Sequence, residues 1–207
     1  MSNEIQVSPV NLPENVTPQT VITNTGDNAV QIANSGTVNL FLPGNTGPVY
    51  NATTALCKKY YNLFVVGEES LHDPFFLVNP DRALTVSEGV ALDISEFFAI
   101  LSPEAVRKIK TFPSLFASTN HQYGRTDDDH LAYFGVVTDV VVQENGIRVC
   151  YQKLRSIPQQ RLNEIAHSLE ILSAPSSNEL DRTHWAIKPI HLIEELKAAG
   201  FRLPLPT

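Results

Sequence analysis

Hydrophobic and polar positions along this chain change period several times, and each change predicts an element. Tyr61–Val66 (YNLFVV) is an almost unbroken apolar run of strand length, and Phe75–Val78 is a shorter one. Asp93-Ile-Ser-Glu96 has capping-box spacing, which predicts a helix start with Asp93 as the cap. Ser102-Pro103 predicts a second start, with Val106 and Ile109 on one apolar face. Ser114–Ala117 predicts another strand. The longest β-rich run, Tyr133–Val142, is followed by Glu144-Asn145-Gly146 and then Ile147–Leu154, which predicts a hairpin with a type I′ turn. Gly135 inside its first strand predicts a bulge or sharp bend. Pro158 opens a helix with Leu162, Ile165 and Leu169 on one stripe. His184–Lys188 predicts a last strand, and Ile190–Ala199 a last helix ended by Gly200. No βαβ alternation is visible. The expected fold class is therefore α+β, with a small bent antiparallel sheet, barrel-like in its curvature, and flanking helices.

The N-terminal quarter reads differently. Residues 1–20 carry Pro9, Pro13 and Pro18 and no apolar period, as a flexible leader would. Residues 21–44, VITNTGDNAVQIANSGTVNLFLPG, contain a repeat. Ile22-Thr-Asn24-Thr-Gly26 and Ile32-Ala-Asn34-Ser-Gly36 both match I-x-N-x-G, and Leu40-Phe-Leu42-Pro-Gly44 is a weaker third copy. Val30-Gln31-Ile32 and Val38-Asn39-Leu40 alternate at period two, so their aliphatic side chains share a face. Asn-x-Gly then supplies residues that tolerate an arch. Short β-branched strands with amide side chains, little charge and no interior proline have the composition of stacked cross-β segments. An ordinary meander or edge strand paired with the following domain is the competing expectation. Residues 45–53 read as a linker to a globular domain at 54–207.

Val30-Gln31-Ile32-Ala33-Asn34 resembles the core of RHIM-related amyloid signalling motifs, in which Ile/Val-Gln-Ile/Val-Gly is often followed by Asn. Ala33 stands where that family usually has glycine. Similar segments occur near the ends of bacterial immune and programmed-death proteins. The resemblance covers residues 21–44 only. It implies an adhesive segment through which one chain recruits itself or a second protein bearing a like motif, with Val30, Gln31, Ile32, Asn34, Val38 and Leu40 as contact residues. No family is recognised for 54–207.

Charge sharpens this division. All 15 Lys and Arg, and all but three of the 22 Asp and Glu, lie at or beyond Lys58. The three exceptions are Glu4, Glu14 and Asp27. A net charge of −7 argues against nucleic acid as a partner. No apolar run is long enough for a membrane span, and the N-terminus lacks a secretory pattern, so a cytoplasmic location is expected. Cys57 and Cys150 are too few and too far apart for a disulfide framework or zinc site.

Candidate chemistry is sparse. Residues 120–130 (NHQYGRTDDDH) are the one dense polar cluster. His121, Asp127, Asp129 and His130 have the side chains for acid–base work or for a divalent cation. A solvated loop is the simpler expectation, because no metal-ligand spacing is present and no cofactor is implied. Arg182, His184 and Trp185 place the single Trp among cations, as a ligand-stacking platform would; a core anchor is the alternative. Two functions follow as expectations. The first is a self-assembling interaction protein whose α+β domain binds a partner or ligand. The second is a small metal-dependent or acid–base enzyme using the 120–130 loop, with the N-terminal strands as homo-oligomer contacts.

Overall fold

A computed structural model describes residues 55–67, 71–85, 91–174 and 176–204. The leader, the repeat segment 21–44 and the 45–53 linker lie outside the described residues. In chain order the elements are β1 (Tyr61–Val66), β2 (Phe75–Val78), α1 (Leu92–Phe98), α2 (Pro103–Ile109), β3 (Pro113–Ser118), β4 (Leu131–Gln143) and β5 (Gly146–Pro158). There follow α3 (Gln159–Glu164), β6 (Leu172–Ala174), β7 (Ser177–Asn178), β8 (His184–Lys188) and α4 (Leu192–Ala198). Six strands form one sheet in the order β2-β5-β4-β3-β1-β8, while β6 and β7 make a small ribbon.

Mixed α and β content is as expected, but the sheet is neither antiparallel throughout nor a closed barrel. β1 and β3 run parallel, with Val66 opposite Ser118; β2 and β8 are the outermost strands, and the Leu84 amide donates to Trp185 O at 2.8 Å on the outer side of β8. The long connection 67–112, which carries α1 and α2, makes this possible, because a parallel return needs a crossover that a hairpin cannot supply. β1 is accordingly buried along its whole length, as strands covered on both faces are.

Each face of the sheet has its own core. On one, Phe64 stacks on Phe116 at 5.3 Å and on Trp185 at 4.9 Å, with Ile94, Phe98 and Ile109 of the first two helices in the same cluster. On the other, Leu63, Leu115, Phe134 and Ile157 meet Leu162, Leu169, Leu192 and Leu196. Fully burying one such side chain stabilises by about 1.5–3 kcal/mol. That burial holds helices of seven residues or fewer, which would be marginal alone.

Local details follow the sequence in some places and depart from it in others. The Ser102 hydroxyl caps α2 by accepting from the Ala105 amide at 3.2 Å. α1 instead starts at Leu92 with Ala91 at the cap position and no side-chain bond, so Asp93 lies inside the first turn, where it favours the helix dipole. The β4–β5 register shifts at Phe134/Gly135 and again at Val137/Asp139. At Gly135 the partner strand is so close that a Cβ would lie 2.1 Å from the Gln152 carbonyl oxygen. The hairpin turn is not type I′. Positive φ falls on Gly146 (142°), already paired with Gln143, and on neither Glu144 nor Asn145. α4 ends as expected at Gly200, with Gly200 N–H on Lys197 O and Phe201 N–H on Leu196 O, both at 2.9 Å. Among the described residues, no helix is long and apolar enough to cross a membrane.

Candidate functional site at the carboxyl edge of the parallel strands

Parallel strands deliver their carboxyl ends to one edge of a sheet, where ligand sites commonly form. Here β1 ends at Val66 and β3 at Ser118. The chain leaves β3 through 119–130 and re-enters as β4. What shapes this loop is a knot of amides. The Asn120 side-chain nitrogen donates to Asp181 Oδ1 at 2.8 Å and to Asn163 Oδ1 at 3.0 Å. Its oxygen accepts from Gln159 Nε2 at 3.0 Å and Asn163 Nδ2 at 3.1 Å. Asp181 also takes the Gly124 amide at 2.8 Å, and Gln160 takes that of Thr126 at 3.0 Å. The loop is thus fastened to α3 and to the 178–181 turn, rather than simply solvated.

This fastening brings three of the four loop candidates together. His121 Nδ1 lies 2.7 Å from Asp127 Oδ2, both side chains being substantially exposed. The His121 and His130 rings meet edge to face at 4.6 Å between centroids. His130 is only 6% exposed, and its Nε2 lies 2.7 Å from Ser118 Oγ, itself in a residue 2% exposed. Asp129 is exposed. Sequence reasoning missed Ser118, because a serine ending an apolar strand carries no signal of its own. Among the described residues, no group of three or more His, Cys, Asp or Glu could hold a metal ion.

Beside this edge lies a half-open cavity of about 200 Å³, walled by Val65, Val66, Leu77 and Val78, with Arg82 and Thr183 among its polar lining. The three expected platform residues separate here. Arg182 is exposed, but Trp185 is fully buried against Phe64, so it is a core side chain with no face to offer a ligand. His184, which lines the cavity, is 1% exposed and belongs to a buried ionic cluster. Its Nε2 lies 3.1 Å from Glu179 Oε2 and its Nδ1 3.0 Å from the Arg182 carbonyl oxygen. The Lys188 ammonium donates to the other Glu179 oxygen. Burial is the largest single influence on Glu179 and opposes its ionisation. The His184 hydrogen bond and the Lys188 charge outweigh it, so the carboxyl sits below its ordinary 4.5.

A second aromatic–cation cluster pins the chain before β2. Tyr151 Oη donates to the Asp73 carbonyl at 2.9 Å, and the Lys153 ammonium donates to Leu71 O while lying 4.0 Å from the Tyr133 ring centroid. Burial, with lesser help from Tyr133 and Asp73, pushes the Tyr151 hydroxyl up to about 12. Burial also lowers the Lys153 ammonium below its usual value. Cys57 and Cys150 are both free and partly exposed. Compared with family models, with curated proteins and with solved structures, the chain matches none.

Proposed function

We propose that this is a self-assembling interaction protein of the kind used in bacterial immune or cell-death signalling. Segment 21–44 stacks with like segments, on copies of this chain or on a second protein. The folded domain is the body that stacking gathers, and it binds a partner or ligand. The observation that carries this reading is the I-x-N-x-G repeat at Ile22 and Ile32, set in a stretch whose one charged residue is Asp27. Stacking identical copies would satisfy the backbone groups of strands too short to be stable alone and bury their shared aliphatic face. The fold is compatible with this, since the described residues bury two apolar clusters among themselves.

A peptide of residues 18–45 is expected to form thioflavin-positive fibres with cross-β spacing, and Ile32→Asp, which puts a charge into the shared face, is expected to abolish them. A peptide that stays monomeric and unstructured at high concentration removes the recruitment reading. Native mass measurement of the full chain and of a variant lacking 1–50 separates a bounded assembly from an open fibre: a finite mass that collapses on truncation marks the former.

A further inference from the structure

We propose that Ser118 and His130 form a nucleophile–base pair that accepts an acyl group from an activated ester or thioester, with the cavity beside β1 receiving a short apolar acyl chain. The geometry points to it in three steps. First, Ser118 Oγ and His130 Nε2 are 2.7 Å apart, within the range at which an imidazole takes a hydroxyl proton. With Nδ1 carrying the ring proton, Nε2 accepts from the hydroxyl. Second, the base is held from both directions. The His130 amide donates to Asp127 O at 3.1 Å, and the Gln159 amide donates to His130 O at 2.8 Å. The nucleophile is held too, because Gln159 Nε2 donates to the Ser118 carbonyl at 2.7 Å. Third, Ser118 is the register partner of Val66, and Val66 walls the cavity. Two residues before Ser118, Phe116 belongs to the same face of the sheet as Val66, so strand alternation places Ser118 on that face, with Val66 between it and the cavity that neither Ser118 nor His130 itself lines.

The step balances without a metal or redox partner. Ser118 Oγ attacks the acyl carbon while its proton passes to His130 Nε2. The electron pair displaced onto the carbonyl oxygen returns and breaks the bond to the leaving alkoxide or thiolate, which takes the proton from His130. Water then repeats the sequence on the acyl-serine, releasing the acid. The His121 ring packs edge to face on His130 and is the more exposed of the two, so substrate would approach His130 past His121.

Full-length protein is incubated with a small alkyl fluorophosphonate, which phosphonylates an activated serine with loss of fluoride. Intact mass and peptide mapping follow. One adduct on Ser118 is expected, absent in Ser118→Ala and formed at least tenfold more slowly in His130→Asn, with hydrolysis of p-nitrophenyl butyrate falling in parallel. Circular dichroism and melting curves establish that each variant is folded. Should a variant fail to fold, the wild-type protein decides alone. If folded wild-type protein gives no Ser118 adduct, the pair only braces β3 against the start of β4 and the proposal is overturned. Equal labelling of wild type and folded His130→Asn overturns it equally.

Discussion

Glu179→Gln removes the only carboxylate of the Glu179–His184–Lys188 cluster while keeping its shape. The Glu179 side chain is 11% exposed, and its two oxygens meet a Lys188 side chain 4% exposed and a His184 side chain with no exposure. The substitution therefore strands a buried ammonium rather than merely trimming a surface contact. Breaking a buried pair from one side costs about 3–5 kcal/mol. In a chain of this size 1 kcal/mol moves Tm by about 2–4 °C, so a fall of roughly 6–20 °C is expected. Trp185, the single Trp, is fully buried and supplies the fluorescence signal for urea titration. The pH dependence has a definite sign. Glu179 holds its proton less tightly when folded than its ordinary value of 4.5, so the unfolded chain binds more protons as pH drops below that value. Wild-type stability from this group is present above about 4.5 and drains as pH falls through the folded value, whereas the Gln variant has none to lose. The gap between the two should narrow in acid. Glu179→Gln/Lys188→Met should recover part of the loss, because replacing both partners removes the stranded charge. A Glu179→Gln variant within about 1 kcal/mol of wild type at neutral pH, with a parallel pH curve, would refute the reasoning.

Gly135→Ala places a Cβ where the Gln152 carbonyl oxygen sits, so β4 and β5 must separate at their bulge. The expected loss is at or above the upper end of the 1–3 kcal/mol typical of overpacking, read by urea unfolding. Asn120→Ala leaves the polar groups of Asn163, Gln159 and Asp181 short of partners, at about 1–3 kcal/mol. Its specific mark is faster amide exchange at Gly124, whose acceptor Asp181 loses its fixed position. Unchanged exchange there would show that Asn120 does not organise the loop.

Much of the secondary structure is legible because its signals are local. Tyr61–Val66 is a near-continuous apolar run ended by Gly67, and His184–Lys188 has an apolar centre and is ended by Pro189; both are strands with those limits. Gly135 reads as a bulge because a glycine inside a β-rich run weakens the strand unless the backbone bends or a neighbour comes close there. Pairing is less legible. Nothing near Phe75 says that β2 joins β5, some seventy residues on, rather than β1 beside it. The parallel match of β1 with β3 is likewise decided by how α1 and α2 cover the sheet. The candidate site divides in the same way. His121, Asp127 and His130 stand out as a cluster in the chain. Ser118 matters through a contact to His130 across the loop, and Asn163, Asn178 and Asp181 through contacts to Asn120 from segments tens of residues away, where no spacing rule reaches. The lone Trp is conspicuous for its chemistry, yet packing against Phe64 claims it.

The position of β1 has a mechanical consequence. Among the described residues it is the first strand of the sheet, and it lies between β3 on one side and β8 on the other, with five register pairs to each. A pull applied through the preceding chain would act along β1, loading both rows of hydrogen bonds in shear at once instead of peeling them one at a time. Tension from an anchored N-terminus would therefore meet the domain at its most resistant strand and pass directly to β3 and β8, while the far edge β2, bonded to β5, carried none of the direct load.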